Sequence, residues 1–131
     1  MANYIASARS NKFRVKDIAA LEAAMPSDVE VYVESISDNE VCLLVTNSDG
    51  GGWPLMIYDE ATDDYIDWSV ESAVAPHLLD GQWCVIQEVG AEKLRYLVGY
   101  ATAFNNKGEV ITISIDDIFA ELPEGVSTCC Y

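Results

Sequence analysis

The strongest constraint on the fold is a series of short β-type segments separated by residues that favour tight turns. Val29–Ile36 alternates apolar and polar residues, which is typical of a half-buried strand, and Val41–Thr46 is apolar on both faces. Asn105–Gly108 predicts a hairpin turn, because Asn and Gly tolerate positive φ. Strands joined by such short turns run antiparallel. The other predicted strands are Asn3–Val15 with a bend or bulge near Ser7–Lys12, Trp53–Tyr58, Asp64–Trp68, Trp83–Val89, Arg95–Phe104 and Val110–Ile115.

Helix signals occur at three places between and after these segments. Asp17 is positioned to cap a helix over Ile18–Met25, whose apolar residues share one face. A second helix is predicted over residues 69–79, with a kink or break at Pro76 because proline lacks the N–H that a helix interior needs. The remaining signals are Pro26 as the end of the first helix, Ser69 or Asp67 as the cap of the second, and Asp116 as the cap of a short third helix, Asp117–Leu122.

These elements predict one α+β domain spanning residues 1–131, with a mostly antiparallel sheet of five to seven strands and two or three helices packed on one face. We expect Trp53–Tyr58 to return alongside Val41–Thr46 after a flexible loop, Asn47–Gly52. Residues 123–131 are expected to form a mobile tail.

The charge of the chain is strongly acidic and segregated. Twenty-two Asp and Glu face seven Lys and Arg, for a net charge of −15, and residues 17–92 contain no base. Such a chain repels nucleic acid and anionic membranes and attracts basic surfaces. The chain has no apolar run of about 20 residues and no signal-peptide pattern, so we expect a protein of the bacterial cytoplasm. Cys42 and Cys84 are expected to be buried and reduced, and Cys129 and Cys130 exposed.

One stretch, Asp59–Glu71, concentrates this acidity, with six carboxylates in thirteen residues and no base. Aromatic residues accompany it, and they favour either packing against the core or an anchor within an acidic rim, as protein-binding hot spots are built. We therefore predict that this stretch binds a basic protein, and that an acidic turn before Val41 extends the same surface. The predicted contact residues are Asp59, Glu60, Asp63, Asp64, Asp67, Glu71, Tyr65, Trp68, Asp38 and Glu40.

Patterns that carry enzymatic or metal chemistry are missing from the sequence. Counted from Asp59, the positions where an EF-hand needs an acid or Asn, a Gly and a Glu hold Ala61, Asp64 and Val70. The single histidine, His77, lies on the apolar face of a predicted helix and is expected to be structural. No nucleophile elbow, phosphate-binding loop, dinucleotide fingerprint or zinc motif occurs. We therefore expect no catalytic residue, no metal and no cofactor.

A second group of charges, at Arg9, Lys12, Arg14 and Lys16, is basic. It could contact nucleic acid, but the net charge of −15 opposes approach to a phosphate backbone. We expect these bases to pair with acids of the same chain.

A net charge of this size imitates the charge density of DNA only if the fold brings the acidic residues together on one face. Spread over about 6,800 Å², the surface expected for this mass, the net charge amounts to about one per 450 Å². Duplex DNA carries roughly one phosphate per 100 Å² of its cylinder. DNA mimicry therefore requires the acids to lie on one face, whereas an even scatter indicates a generic acidic interaction or accessory protein. A deep pocket holding a perturbed carboxylate or His77 would instead indicate a small enzyme.

Two stretches, ARSNKFRVKD (Ala8–Asp17) and GAEKLRYLVGYATAFNNKGEVITISIDDIF (Gly90–Phe119), resemble segments of small acidic proteins encoded by phages, plasmids and integrated elements of bacteria. The resemblance covers about a third of the chain, and the group has no assigned activity that could be carried over to particular residues. It implies a mobile-element origin, and small accessory proteins of such elements often block host defence. The leading hypothesis is therefore a non-enzymatic inhibitor of a nucleic-acid-handling defence complex, of the anti-CRISPR or anti-restriction kind, possibly acting as a DNA mimic.

Overall fold

A computed structural model describes residues 4–46 and 51–129 of the chain. Nine strands, two α-helices and two 3-10 helices make up the regular structure of these residues. In chain order the elements are β1 (Ile5–Ser10), β2 (Phe13–Arg14), α1 (Ile18–Ala24), β3 (Val29–Ser35), β4 (Glu40–Val45), β5 (Met56–Asp59), β6 (Asp64–Asp67), α2 (Val70–Val74), a 3-10 helix (Ala75–His77), β7 (Cys84–Glu92), β8 (Tyr96–Phe104), β9 (Val110–Ser114) and a second 3-10 helix (Ile115–Glu121).

Seven of the strands form one sheet in which every pairing is antiparallel. Across the sheet the order is β3, β4, then β1 and β2 on the other edge of β4, then β7, β8 and β9. The predicted α+β fold with a mostly antiparallel sheet is therefore confirmed.

The predicted irregularity in the first strand is a bulge between β1 and β2. Arg9 pairs with Leu44 and Phe13 with Val41, so four steps along β1–β2 oppose three along β4. Asn11 fills the interruption, because its side-chain amide donates to the Trp83 carbonyl at 3.1 Å and accepts from the Val85 N–H at 2.8 Å. The side chain of one bulge residue thus replaces the missing ladder contacts to the next strand. Asn3, the first residue of the predicted strand, lies outside the described residues.

The first two helices begin where their caps predict. The Asp17 carboxylate accepts from the Ala19 N–H at 2.9 Å, and α1 follows. Ser69 rather than Asp67 caps α2, and the helix gives way at Val74 to a 3-10 turn that contains Pro76. The predicted break is therefore present.

The third predicted helix starts earlier than expected and is a 3-10 helix. The Asp117 carboxylate accepts the Ser114 backbone N–H at 2.8 Å, so the helical turn starts at Ile115. The predicted cap at Asp116 is wrong, because it lies within the first turn while Ser114 occupies the N-cap.

The predicted return of Trp53–Tyr58 alongside β4 is also wrong. Both edges of β4 are already taken, one by β3 and the other by β1 and β2. Trp53 leaves the ladder, since its side chain is buried in the core, and Pro54 has no N–H to donate to a neighbouring strand. The strand that follows, β5, pairs with β6 in a separate two-stranded sheet. Of the predicted loop before it, residues 47–50 lie outside the described part.

The core lies between one face of the main sheet and the two α-helices. Leu21 from α1 and Val74 from α2 are fully buried against sheet residues such as Phe13, Leu43 and Phe104. Burying side chains of this size stabilises the fold by about 1.5–3 kcal/mol each. We call this the helix face of the sheet.

The cysteines lie where the sequence predicts. Cys42 and Cys84 are buried free thiols, and Cys129 is an exposed free thiol, whereas Cys130 lies outside the described residues. Burial raises the pKa of the Cys84 thiol well above its usual range. None of the helices in the described ranges is long and apolar enough to cross a membrane.

Candidate functional site

The acidic stretch folds as a β-hairpin, formed by β5 and β6, that carries its charges in solvent. Met56 pairs with Asp67, Ile57 with Ile66, Tyr58 with Tyr65 and Asp59 with Asp64. Every residue from 61 to 67 is exposed. Because side chains alternate across a strand, Tyr58 and Tyr65 share one face of the hairpin, and Asp59 and Asp64 share the other.

The carboxylates at the tip build the turn as well as charging it. Asp59 accepts from the Ala61 N–H at 3.1 Å and from the Thr62 hydroxyl at 3.2 Å, which closes an Asx-type turn. Asp63 adopts a φ of 53°, a conformation that Asp tolerates better than most residues, and accepts a hydrogen bond from the Tyr58 hydroxyl. That bond raises the pKa of Tyr58. Asp64 accepts its neighbour's N–H, from Tyr65, at 2.8 Å.

Two tyrosines form an exposed aromatic pair on this hairpin. The ring centroids of Tyr58 and Tyr65 lie 5.6 Å apart with an interplanar angle of 69°, an edge-to-face contact. Their residues are 50% and 62% exposed, so both rings are accessible to a partner. Tyr65 was a predicted contact, whereas Tyr58 joins it only through the cross-strand register, which the sequence alone does not reveal.

Trp68 serves mainly as the root of the hairpin. Its side chain is partly buried against the core cluster, and its backbone N–H donates to the Leu55 carbonyl at 2.8 Å. Of the two predicted aromatic contacts, Tyr65 is therefore exposed to a partner, whereas much of the Trp68 side chain is buried in the fold.

The hairpin stores unfavourable electrostatic energy. Asp59 and Asp64 lie directly opposite each other, and like charges in that position destabilise a strand pair. The one ion pair among the described residues, Lys12–Glu34 at 3.5 Å, lies outside the hairpin. The acids from Asp59 to Asp67 thus have no cation of this chain to offset them within the described residues.

The charge density of the hairpin reaches that of duplex DNA. The whole surface does not, because −15 spread over 8586 Å² is one net charge per about 570 Å². A two-stranded plate about 20 Å long and 10 Å wide has about 400 Å² on its two faces. Five carboxylates on that plate give one charge per about 80 Å², against roughly 100 Å² per phosphate on the duplex.

The other predicted contact residues lie apart from the hairpin or at its base. Glu71 is half-buried in the first turn of α2, where a carboxylate interacts favourably with the helix dipole. Asp38 and Glu40 lie at the turn that opens β4, whereas the chain leaves for the hairpin from the opposite end of that strand. β4 spans about 20 Å. The predicted extension of the acidic surface to Asp38 and Glu40 has no hydrogen bond or strand pairing to support it among the described residues.

The expectation that the N-terminal bases pair internally holds for one of them. Lys12 pairs with Glu34, whereas Arg9, Arg14 and Lys16 form no ion pair within residues 4–46 and 51–129. Arg14 lies opposite Glu40 in the strand register, yet no ion pair joins the two. The physical reason is that an exposed ion pair gains little beyond the entropy lost in fixing two long side chains.

No family model matches the chain, and neither a curated protein nor a solved structure is similar to it.

A buried carboxylate, which the sequence did not single out, lies elsewhere in the molecule. Glu88 is 8% exposed and accepts from the Tyr4 hydroxyl at 2.7 Å, the Trp53 N–H at 2.8 Å and the Tyr100 hydroxyl at 3.1 Å. Burial, followed by the interaction with Glu88, raises the pKa of Tyr100 to about 12. All of these donors come from the chain itself. Through the bond to Trp53, Glu88 holds the segment before β5 against the sheet.

Metal binding finds little support in the geometry. Among the described residues, no three His, Cys, Asp or Glu side chains lie together so that they could hold a metal ion. On the hairpin, three of the carboxylates are engaged by turn and tyrosine donors instead.

Proposed function

We propose that this protein is a non-enzymatic binding protein whose β5–β6 hairpin docks into a lysine- and arginine-lined groove of a nucleic-acid-handling protein. The observation that carries the proposal is the concentration of five carboxylates, four exposed and Asp59 half-buried, unpaired with any cation of the described chain, at the charge density of a DNA duplex. The hairpin would occupy the place of DNA or RNA in that groove. An inhibitor of a CRISPR or restriction complex, encoded by a mobile element, is the concrete form that the resemblance of two sequence stretches supports.

The physical basis is relief of repulsion combined with a small aromatic contact. A basic groove brings cations to Asp59 and Asp64, which face each other without one in the isolated protein. Complementary charge speeds association and makes it sensitive to salt. The Tyr58–Tyr65 pair supplies apolar area that charge alone lacks, since tight interfaces are dominated by desolvated aromatic anchors.

The test is a variant in which Asp59, Asp63, Asp64 and Asp67 are all changed to Asn. Asn keeps an acceptor oxygen for the turn bonds that Asp59 and Asp64 make, so the fold should be retained. Each lost exposed pair costs about 0.5–1 kcal/mol, so four together should raise Kd by about 30- to 700-fold at low salt. The measurement is displacement of labelled duplex DNA from purified CRISPR effector and restriction complexes, across a salt series.

A matched control changes the net charge by the same amount away from the hairpin. Glu22, Glu30, Glu121 and Glu124 are exposed, and none accepts a side-chain hydrogen bond within the described residues. Changing these four to Gln takes the net charge from −15 to −11, as the hairpin variant does. We expect the control to displace DNA as the wild type does. Equal affinities and equal salt slopes for the two variants would refute the hairpin as the binding site.

The alternative is a generic acidic accessory protein whose charge serves solubility. The scatter of other acids over α1, the turn before β4 and the second 3-10 helix favours it. It predicts that wild type and both variants leave the bound DNA undisturbed on every complex.

A further inference from the structure

The face of the main sheet opposite the helix face is apolar and uncharged where β7, β8 and β9 lie side by side. The strand register places ten side chains on it, and none of them is charged, although 22% of the chain is. Val89, Ile111 and Ile113 are 66%, 60% and 62% exposed. We call this surface the open face; its ten residues are Val85, Gln87, Val89, Ala91, Leu97, Gly99, Ala101, Ala103, Ile111 and Ile113.

The open face is concave. Gly99 and Ala101 form the floor of a depression of about 280 Å³ between Val89 and Ile113. A Cβ at Gly99 would lie 3.0 Å from the Ile115 side chain, so a larger residue there would require that side chain to shift. A second depression of about 360 Å³ shares Val89 and continues across β1, where Arg9 lines it, to Leu44 on β4. The two together form a groove that crosses five strands.

The extent of this groove is compatible with an interface. Strands 4.8 Å apart with the observed lengths give about 360 Å² of mean sheet plane for the open face on β7, β8 and β9, and about 550 Å² once the groove over β1 and β4 is included. Stable interfaces begin at about 600 Å² per partner, and monomers rarely expose a contiguous apolar patch above a few hundred Å². The five-strand surface therefore comes within about a tenth of the area that the smallest stable interfaces bury per partner.

The net charge of the chain bears on which partner binds the open face. Each copy of the chain carries −15, so contact through an acidic surface brings like charges together. The open face is where two copies can meet without bringing acidic side chains into contact, since its ten residues are all neutral. We propose that the open face binds a second copy of this chain, face to face about a two-fold axis. The two sheets would then pack about 10 Å apart, as in a β-sandwich.

This dimer leaves the β5–β6 hairpin available. Trp53 and Trp68, which anchor the hairpin segment, pack into the core on the helix face, away from the open face. Dimerisation therefore does not depend on the proposed function. The two interactions also respond to salt in opposite directions. Salt screens the repulsion between two acidic copies and strengthens the dimer, whereas it weakens binding of the hairpin to a basic groove.

The test is sedimentation velocity on the full chain over a range of protein and salt concentrations. Wild type should pass from monomer to dimer as concentration rises, and the transition should move to lower concentration as salt rises. Ile113→Lys places a charge in the groove and should abolish the dimer over the same range. The matched control, Ile36→Lys, changes an 82% exposed residue in the turn before β4 and should dimerise like the wild type.

Two results would overturn the proposal. One is a wild type that stays monomeric at every concentration and salt, which would leave the open face to a different partner. The other is a dimer that survives Ile113→Lys, which would place the interface elsewhere. Thermal unfolding checks that Ile113→Lys folds, and Val89→Lys, on the neighbouring strand β7 and 66% exposed, repeats the test if it does not. Hairpin binding is measured separately, so either proposal can fail alone.

Discussion

Removal of the Glu88 side chain should destabilise the protein far more than removal of any exposed acid. In Glu88→Ala, the backbone N–H of Trp53 loses its acceptor inside the core, and the hydroxyls of Tyr4 and Tyr100 lose theirs at its margin. Trp53 itself is 6% exposed, so water reaches its N–H poorly. The side chain removed is therefore the common acceptor of three segments that are distant in the sequence.

The magnitude follows from the three donors. A buried N–H left without a partner costs about 1–3 kcal/mol, and each hydroxyl that rebinds water loses about 0.5–1.5 kcal/mol. The sum is about 2–6 kcal/mol, which for a domain of this size lowers Tm by about 6–25 °C. Glu88→Gln keeps an acceptor oxygen but loses the charge that strengthens the bonds, so we expect it to lower the free energy of unfolding by about 1–2 kcal/mol.

A substitution at Gly52, which lies against Glu88, should break the same hydrogen bonds. A Cβ at Gly52 would lie 1.8 Å from a Glu88 oxygen, so Gly52→Ala must displace that carboxylate.

The assay is thermal and urea unfolding followed by circular dichroism. Glu124→Ala is the control, because it removes one exposed carboxylate and changes the net charge equally. Glu88→Ala combined with Gly52→Ala should cost less than the sum of the two, since both act on the same bonds. The reasoning is refuted if Glu88→Ala melts within about 2 °C of Glu124→Ala, which corresponds to less than about 1 kcal/mol.

Two further predictions concern pH and thiol chemistry. Folding raises the pKa of Tyr100 from 10.0 to about 12, so the stability that its protonated form contributes is complete below pH 10 and is lost as pH rises towards 12. Tyr100→Phe should remove that part of the alkaline loss, and equal alkaline slopes for the two proteins in urea titrations would contradict it. In a Cys130→Ser background, one thiol of the native protein, that of Cys129, should react rapidly with a disulfide reagent, because Cys42 and Cys84 are buried. Reaction of three thiols at the same rate would show that the core opens readily.

Local signals predicted the elements that depend on local contacts. Asp17 and Pro26 delimit α1 to within a residue, because a cap and a helix breaker act on their immediate neighbours. The bulge between β1 and β2 was visible as a polar interruption in an apolar segment. The pairing of strands could not be predicted, since the position of Trp53–Tyr58 depends on which strands occupy the edges of β4.

In the candidate site too, features set by local sequence could be predicted and those set by strand register could not. The exposure of Asp63, Asp64 and Asp67 follows from a run of carboxylates that no core accepts, and the sequence shows that run. Pairing of Tyr58 with Tyr65 depends on the register of the hairpin. Glu88 could have been found, because the period of two along its strand places it on the same face as Cys84 and Ile86, which are apolar.

The central position of β1 determines when the sheet can be completed during synthesis. β3 with β4, and β7 with β8 and β9, pair with neighbours in sequence and can form as soon as they emerge. β1 joins these two units, yet Ile5 pairs with Ala91, 86 residues further along the chain. At about 5–20 residues per second, the ribosome adds those residues over roughly 4–17 s. For that time the first strand of the nascent chain waits with an open edge, which makes this strand the one that a chaperone or a mispaired neighbour would meet first.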